Sequence, residues 1–167
     1  MKKLVKFLVD ILETVVIALI IVFLLFRFVI VSVEVMGSSM EPQLTTGDRG
    51  ISFIVSRNSI ERFDICVIDS DKSSSLLVKR LIGLPNETVE YIDNRLYING
   101  EYVEEDFLED TVTADFRIEL GDDEYYFLGD NCRVSRDSRY YGSFSHDEIR
   151  SAGLFIYYPL NHFGIKD

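Results

Sequence analysis

Apolar residues are distributed along this chain in two ways. From Thr14 to Phe26 no charged residue occurs, and from Thr14 to Val33 only Arg27 interrupts. About 20 apolar residues cross a bilayer core, so this run predicts one membrane-spanning helix over 11–28. Beyond it the apolar positions come in short runs divided by turn residues. Val31, Val33 and Val35 alternate with Ser32 and Glu34, which predicts a strand over 31–36. The stretches 51–55, 65–68, 76–84, 88–92, 95–98, 124–128 and 154–158 read as further strands. Asp93-Asn94 predicts a two-residue hairpin. Thr45 to Asp48 and Asn99-Gly100 predict turns, 69–75 a polar loop, and 145–150 one helical turn. Many short strands after one long helix predict an all-β, mostly antiparallel domain on an N-terminal transmembrane anchor. The expected division is 1–30 for the N-terminus and anchor and 31–167 for the β-rich domain.

Charge gives the anchor a direction. Lys2, Lys3 and Lys6 place the N-terminus in the cytoplasm, so the domain is expected outside. Asp10 and Glu13 fall near the inner interface, Lys6 can pair with Asp10 one turn on, and Arg27 is expected to snorkel to the outer interface. A cleaved secretory signal would have an apolar core of about 7–15 residues before a small-x-small site. This run is longer, and the nearest triplet is Val35-Met36-Gly37, so the helix reads as retained. Residues 1–32 carry net +2, which leaves −13 on 33–167 of the −11 total. A domain that acidic is unsuited to nucleic acid and is repelled by an anionic bilayer surface, which a covalent anchor overcomes. Cys66 and Cys132 are compatible with one disulfide or with two buried thiols. Neither cysteine nor histidine stands in a metal-ligand pattern, and no cofactor is expected.

Candidate chemistry sits in three segments: Gly37-Ser38-Ser39-Met40-Glu41-Pro42, Leu77-Val78-Lys79-Arg80-Leu81-Ile82, and Gly129-Asp130-Asn131-Cys132-Arg133-Val134-Ser135-Arg136-Asp137-Ser138-Arg139. A serine hydroxyl needs a base to become a nucleophile. Histidine is the common base, and a triad of Ser39, His146 and an acid is the second mechanism weighed. Lysine serves if burial lowers its pKa far below ~10.4, and the apolar neighbours of Lys79 favour that. In a strand Lys79 and Arg80 point to opposite faces. Ser39 follows Phe28 by 11 residues, at most about 40 Å of chain, so the nucleophile would work near the outer leaflet.

These three segments, in this order, resemble type I signal peptidases, membrane-bound Ser/Lys proteases that remove secretory signal peptides. The resemblance runs from the anchor to Tyr157-Tyr158-Pro159-Leu160-Asn161 and is nearest the small Gram-positive form. It implies a mostly antiparallel β domain with a small inserted subdomain, here short and at about 100–123. It implies Ser39 as nucleophile, Lys79 as general base, Ser135 as the hydroxyl orienting the lysine amine, and Asp137 with Arg139 as a supporting ion pair. Asp130 is expected to pair with Arg80. The Ser39 N–H is the first oxyanion donor. Some relatives place a serine two residues before the nucleophile; here that position is Gly37, so the Gly37 N–H or the Ser38 hydroxyl would be the second donor. Gln43, and Pro85-Asn86-Glu87, are smaller departures. The strands holding Val35 and Met36 and holding Leu77 and Val78 would pair with an extended preprotein and admit Ala-x-Ala-type sites. A silent relative assisting assembly of surface pilins is the alternative; such a protein should have lost Ser39 or Lys79. A self-cleaving Ser/Lys repressor would be cytosolic with a DNA-binding domain, which a membrane helix argues against.

Overall fold

The computed structural model describes residues 2–108 and 114–166, with no side chain described at Arg27. The expected snorkelling of Arg27, and residues 109–113 of the expected insertion, therefore lie outside the described residues. Helix α1 runs Lys2–Phe28, 27 residues. At ~1.5 Å per residue that is about 40 Å, and it is the one described helix long and apolar enough to cross a membrane. It begins nine residues before the expected 11, since the Lys and Leu residues of its first turns are good helix formers.

Eleven strands follow among the described residues: β1 Ile30–Glu34, β2 Arg49–Phe53, β3 Ile65–Ile68, β4 Leu77–Gly83, β5 Thr88–Ile92, β6 Arg95–Ile98, β7 Glu101–Val103, β8 Phe116–Glu119, β9 Tyr126–Leu128, β10 Ile149–Tyr158 and β11 Gly164–Lys166. Every pairing is antiparallel. One sheet has the order β1-β2-β10-β3-β4-β9, with β11 added on β10; the other is β7-β6-β5-β8. The all-β expectation holds. The hairpin at Asp93-Asn94 is present, both residues at positive φ (50° and 59°), as a turn matching strand twist requires.

The differences have local causes. The strand expected over 51–55 ends at Phe53 and becomes a 3-10 turn, Ile54–Ser59. Ser56 Oγ bonds the Phe53 carbonyl at 2.6 Å and receives the Ala152 N–H at 2.9 Å, a side-chain alternative to the ladder. The turn expected over 145–150 is a 3-10 turn of His146–Glu148 only, and Ile149 already belongs to β10. The second sheet draws β5 and β6 from before residue 100, so it is wider than the insertion expected at about 100–123.

Three apolar clusters join these layers. Val31, Val33 and Val35 pack with Met40, Leu44, Ile65 and Val67. Cys66, Ile68, Leu81 and Phe127 pack with Phe144 and Ile149. Ile82, Tyr126 and Leu128 meet Val89, Tyr91, Leu96 and Ile98, which fastens the second sheet to the ends of β4 and β9. Gly83 permits this approach, because a Cβ there would lie 2.5 Å from Val89 Cγ2 and 2.6 Å from Leu120 Cδ1. Two of the strand edges left without partners among the described residues lie beside the loop after β1. β1 ends its sheet, and β9 pairs only with Arg80, Leu81 and Gly83, so Leu77 to Lys79 are open on that side.

Candidate active site

Ser39 stands in the loop leaving β1. Gly37, at φ +90°, adopts the left-handed backbone that glycine tolerates and reverses the chain toward Ser39. Met40 and Leu44 are buried beneath the loop, and the Leu44 N–H closes on the Met40 carbonyl at 2.8 Å. From across the cleft the Asn131 N–H donates to the Ser39 carbonyl at 3.0 Å. The nucleophile candidate is thus held by buried apolar side chains on one side and by the 129–139 loop on the other.

Lys79 is 4% exposed. Its Nζ lies 2.7 Å from Ser39 Oγ and 2.8 Å from the Val78 carbonyl. Burial pushes its pKa down from 10.5 to about 8, against the pull of the Asp137 and Asp130 carboxylates. A buried amine in contact with a serine hydroxyl, neutral in about a tenth of molecules at pH 7 and about half at pH 8, can accept that hydroxyl's proton.

Arg80 faces the other way, as strand alternation requires. Its Nε and one Nη each donate to Asp130 at 2.9 Å, another Nη donates to the Phe63 carbonyl at 2.7 Å, and its guanidinium sits 4.4 Å from the Phe107 ring centroid. Burial raises the Asp130 pKa and the Arg80 guanidinium pulls it back. Asp137 receives Arg139 Nε and Nη at 2.9 Å and the Gly129 N–H at 3.1 Å. It also caps the short helix α2, Ser138–Tyr141. Arg139 donates on to the Cys132 carbonyl at 2.6 Å. Ser138 Oγ, whose part sequence reasoning missed, accepts the Phe127 N–H at 2.8 Å and so ties the loop to β9.

Ser135 departs from expectation. Its Oγ is buried and has no hydrogen-bond partner, while Lys79 Nζ bonds Ser39 and Val78. Ser135 lies against Gly129, where a Cβ would overlap Ser135 Oγ and the Ser39 carbonyl. The loop therefore brings Ser135 beside the site without using its hydroxyl.

A cleft of about 700 Å³ opens over Ser39 and Lys79. Val35, Met36, Gly37 and Ser38 line one wall, Leu77 and Val78 the other. Val35 is packed into the core below, whereas Met36 is exposed. Ser32 to Glu34 and Met40 extend the first wall, and Ser73 to Leu76, Val134, Arg136 and Tyr141 also line the cleft; nothing in the composition of these last residues marked them. Neither histidine lines the cleft. His146 Nε2 contacts the Arg57 carbonyl at 3.0 Å, which removes the geometric basis for a Ser39–His146 triad. Cys66 and Cys132 are separate buried thiols. Among the described residues no group of His, Cys, Asp and Glu could hold a metal ion.

A family model described as signal peptidase, peptidase S26, matches residues 8–158. Signal peptidase I S of Bacillus subtilis (strain 168) is 34% identical over 164 residues, covering 89% of this chain and 88% of its own length. Signal peptidase IB of Staphylococcus aureus (strain COL) is 30% identical over 168 residues, covering 88% and 87%. The crystal structure of a signal peptidase I from Enterococcus faecalis V583 is 36% identical with a TM-score of 0.52, covering 56% of this chain and 96% of that one.

Proposed function

The chain belongs to the signal peptidase family, peptidase S26, and is a serine peptidase; from that premise we propose that it cleaves signal peptides after small-x-small sites through a Ser39–Lys79 dyad at the outer face of a membrane. The observation that carries the reading is the 2.7 Å contact between Lys79 Nζ and Ser39 Oγ, with burial holding the lysine near pKa 8.

The neutral Lys79 amine accepts the Ser39 Oγ proton as Oγ attacks the scissile carbonyl. The oxyanion is received by the Ser39 N–H, with the Gly37 N–H or Ser38 hydroxyl as second donor. The Lys79 ammonium then protonates the departing amine, and the C–N bond breaks to leave an acyl ester on Ser39. A water that gives its proton to Lys79 attacks the ester, and Oγ recovers a proton as the acid product leaves. Asp137 with Arg139, and Asp130 with Arg80, hold the backbone around this exchange.

The substrate lies as an extended strand between the open edges of β1 and β4. The Val35 N–H and carbonyl are spent on Asp48 and Gly47. By alternation the Glu34 and Met36 backbone groups face the cleft and receive the peptide. Helix α1 is compatible with membrane association, and its basic N-terminus argues for a cytoplasmic start and an outside domain.

The test is cleavage of an Ala-x-Ala preprotein in detergent micelles by the native chain, Ser39→Ala and Lys79→Ala. Cutting at the site by the native chain alone supports the reading. Binding without cutting would move the protein to a non-catalytic role with the same substrates.

A further inference from the structure

One buried carboxylate takes no part in the chemistry above. Asp48 is fully buried, and its oxygens accept the Thr45 N–H at 2.8 Å and Thr45 Oγ1 at 3.3 Å. They also contact His162 Nδ1 at 3.0 and 3.1 Å, a geometry that requires Nδ1–H to donate. His162 ends the 3-10 turn Leu160–His162, 114 residues along the chain. The turn that Asp48 closes grips the cleft wall at three points. The Asp48 carbonyl accepts the Val35 N–H at 2.8 Å, the Gly47 N–H donates to the Val35 carbonyl at 2.9 Å, and Thr46 Oγ1 donates to the Gly37 carbonyl at 3.0 Å.

We infer that Asp48 and His162 are positioning residues: through the 45–48 turn they fix the Val35–Gly37 backbone, and with it the approach to the oxyanion donors. The inference rests on Ser39 being the nucleophile. A buried carboxylate binds its donors strongly and is costly to leave short of one, so His162 pins the turn from outside the cleft. β2 still holds β1 from Ile30 to Glu34 when the pin is lost, so the Glu34 part of the peptide edge survives while Met36 and the backbone next to Ser39 loosen.

The test uses the full chain in micelles. His162→Ala is expected to lower kcat roughly tenfold, with a smaller rise in KM from the loosened Met36 backbone. His162→Asn, whose amide N–H can occupy the place of Nδ1–H, is expected to restore most of it. Thr46→Val, which removes only the hydroxyl on the Gly37 carbonyl, is expected to lower kcat severalfold without shifting Tm. In His162→Ala, amide exchange at Val35 and Gly47 should quicken at least tenfold while Val33 and Gly50, in the β1–β2 ladder, stay protected. Unchanged kcat in both His162→Ala and Thr46→Val overturns the proposal, as does loss in His162→Ala that tracks Tm and is not rescued by asparagine. If His162→Ala does not fold, Thr46→Val decides. If the native chain cuts no preprotein, the proposed function fails, and the exchange rates alone decide whether His162 pins this backbone.

Discussion

Lys79 Nζ lies 2.7 Å from Ser39 Oγ, and the strand that delivers the lysine is buried where it does so. Desolvation of the ammonium therefore sets the working pH. In the proposed mechanism the neutral amine is the active form, so the cleavage rate should climb as pH rises through about 8 and level off above it. A rate profile in micelles checks this; a rate-limiting group near pH 6 instead would point back to a histidine.

The same burial has a cost in stability. The unfolded chain holds the Lys79 proton up to about pH 10.5, the folded one only up to about 8. Between those values the unfolded state binds more protons, so stability rises with pH; below 8 the penalty is present in full, about 3 kcal/mol. Lys79→Met should abolish cleavage and resist urea better at pH 7, and its advantage should shrink toward pH 10.

Arg80 and Asp130 form a buried two-point pair. Removing one partner strands a charge, so Asp130→Leu should cost about 3–5 kcal/mol. Replacing both with apolar residues should cost much less. Chemical denaturation of the two singles and the double measures the coupling.

At Gly129 there is no space for a side chain between Ser135 and the Ser39 carbonyl. Gly129→Ala should push the Ser39 loop away from Lys79 and lower cleavage at least a hundredfold, with a fall in Tm.

Ser135 Oγ has no partner in the free enzyme. Ser135→Ala should therefore leave Tm unchanged or raise it, since a buried unsatisfied hydroxyl is removed. A fall in kcat at constant Tm would mean that the hydroxyl turns to Lys79 only when substrate is bound.

Much of this was legible in the chain. β3, β5 and β6 have the limits read from the sequence; for β5 and β6 the reason is that Asp93-Asn94 tolerates the positive φ that a two-residue hairpin requires. Ser39, Lys79, the Arg80–Asp130 pair and the Asp137–Arg139 pair lie in motifs whose residue types carry the resemblance. What stayed hidden depends on partners distant in sequence. Ser56 ends β2 through Ala152, β11 exists because β10 offers it an edge, and Ser73 to Leu76 line the cleft only because the fold sets them near residues 32–40. That Cys66 and Cys132 are separate buried thiols is likewise a matter of where the fold carries them, one on β3 and one in the loop after β9.

β4 is paired with both neighbours at Arg80 and with β3 alone before it, and β1 faces it with a bare edge of its own. A helix, or a strand already in a sheet, has its backbone groups occupied and gains nothing from these edges. A segment with its amides still free completes both at once. Under the proposed binding mode the gap is a clock as well as a filter: a preprotein would be trimmed only while the junction is unstructured, before the domain behind it has drawn those residues into its own fold.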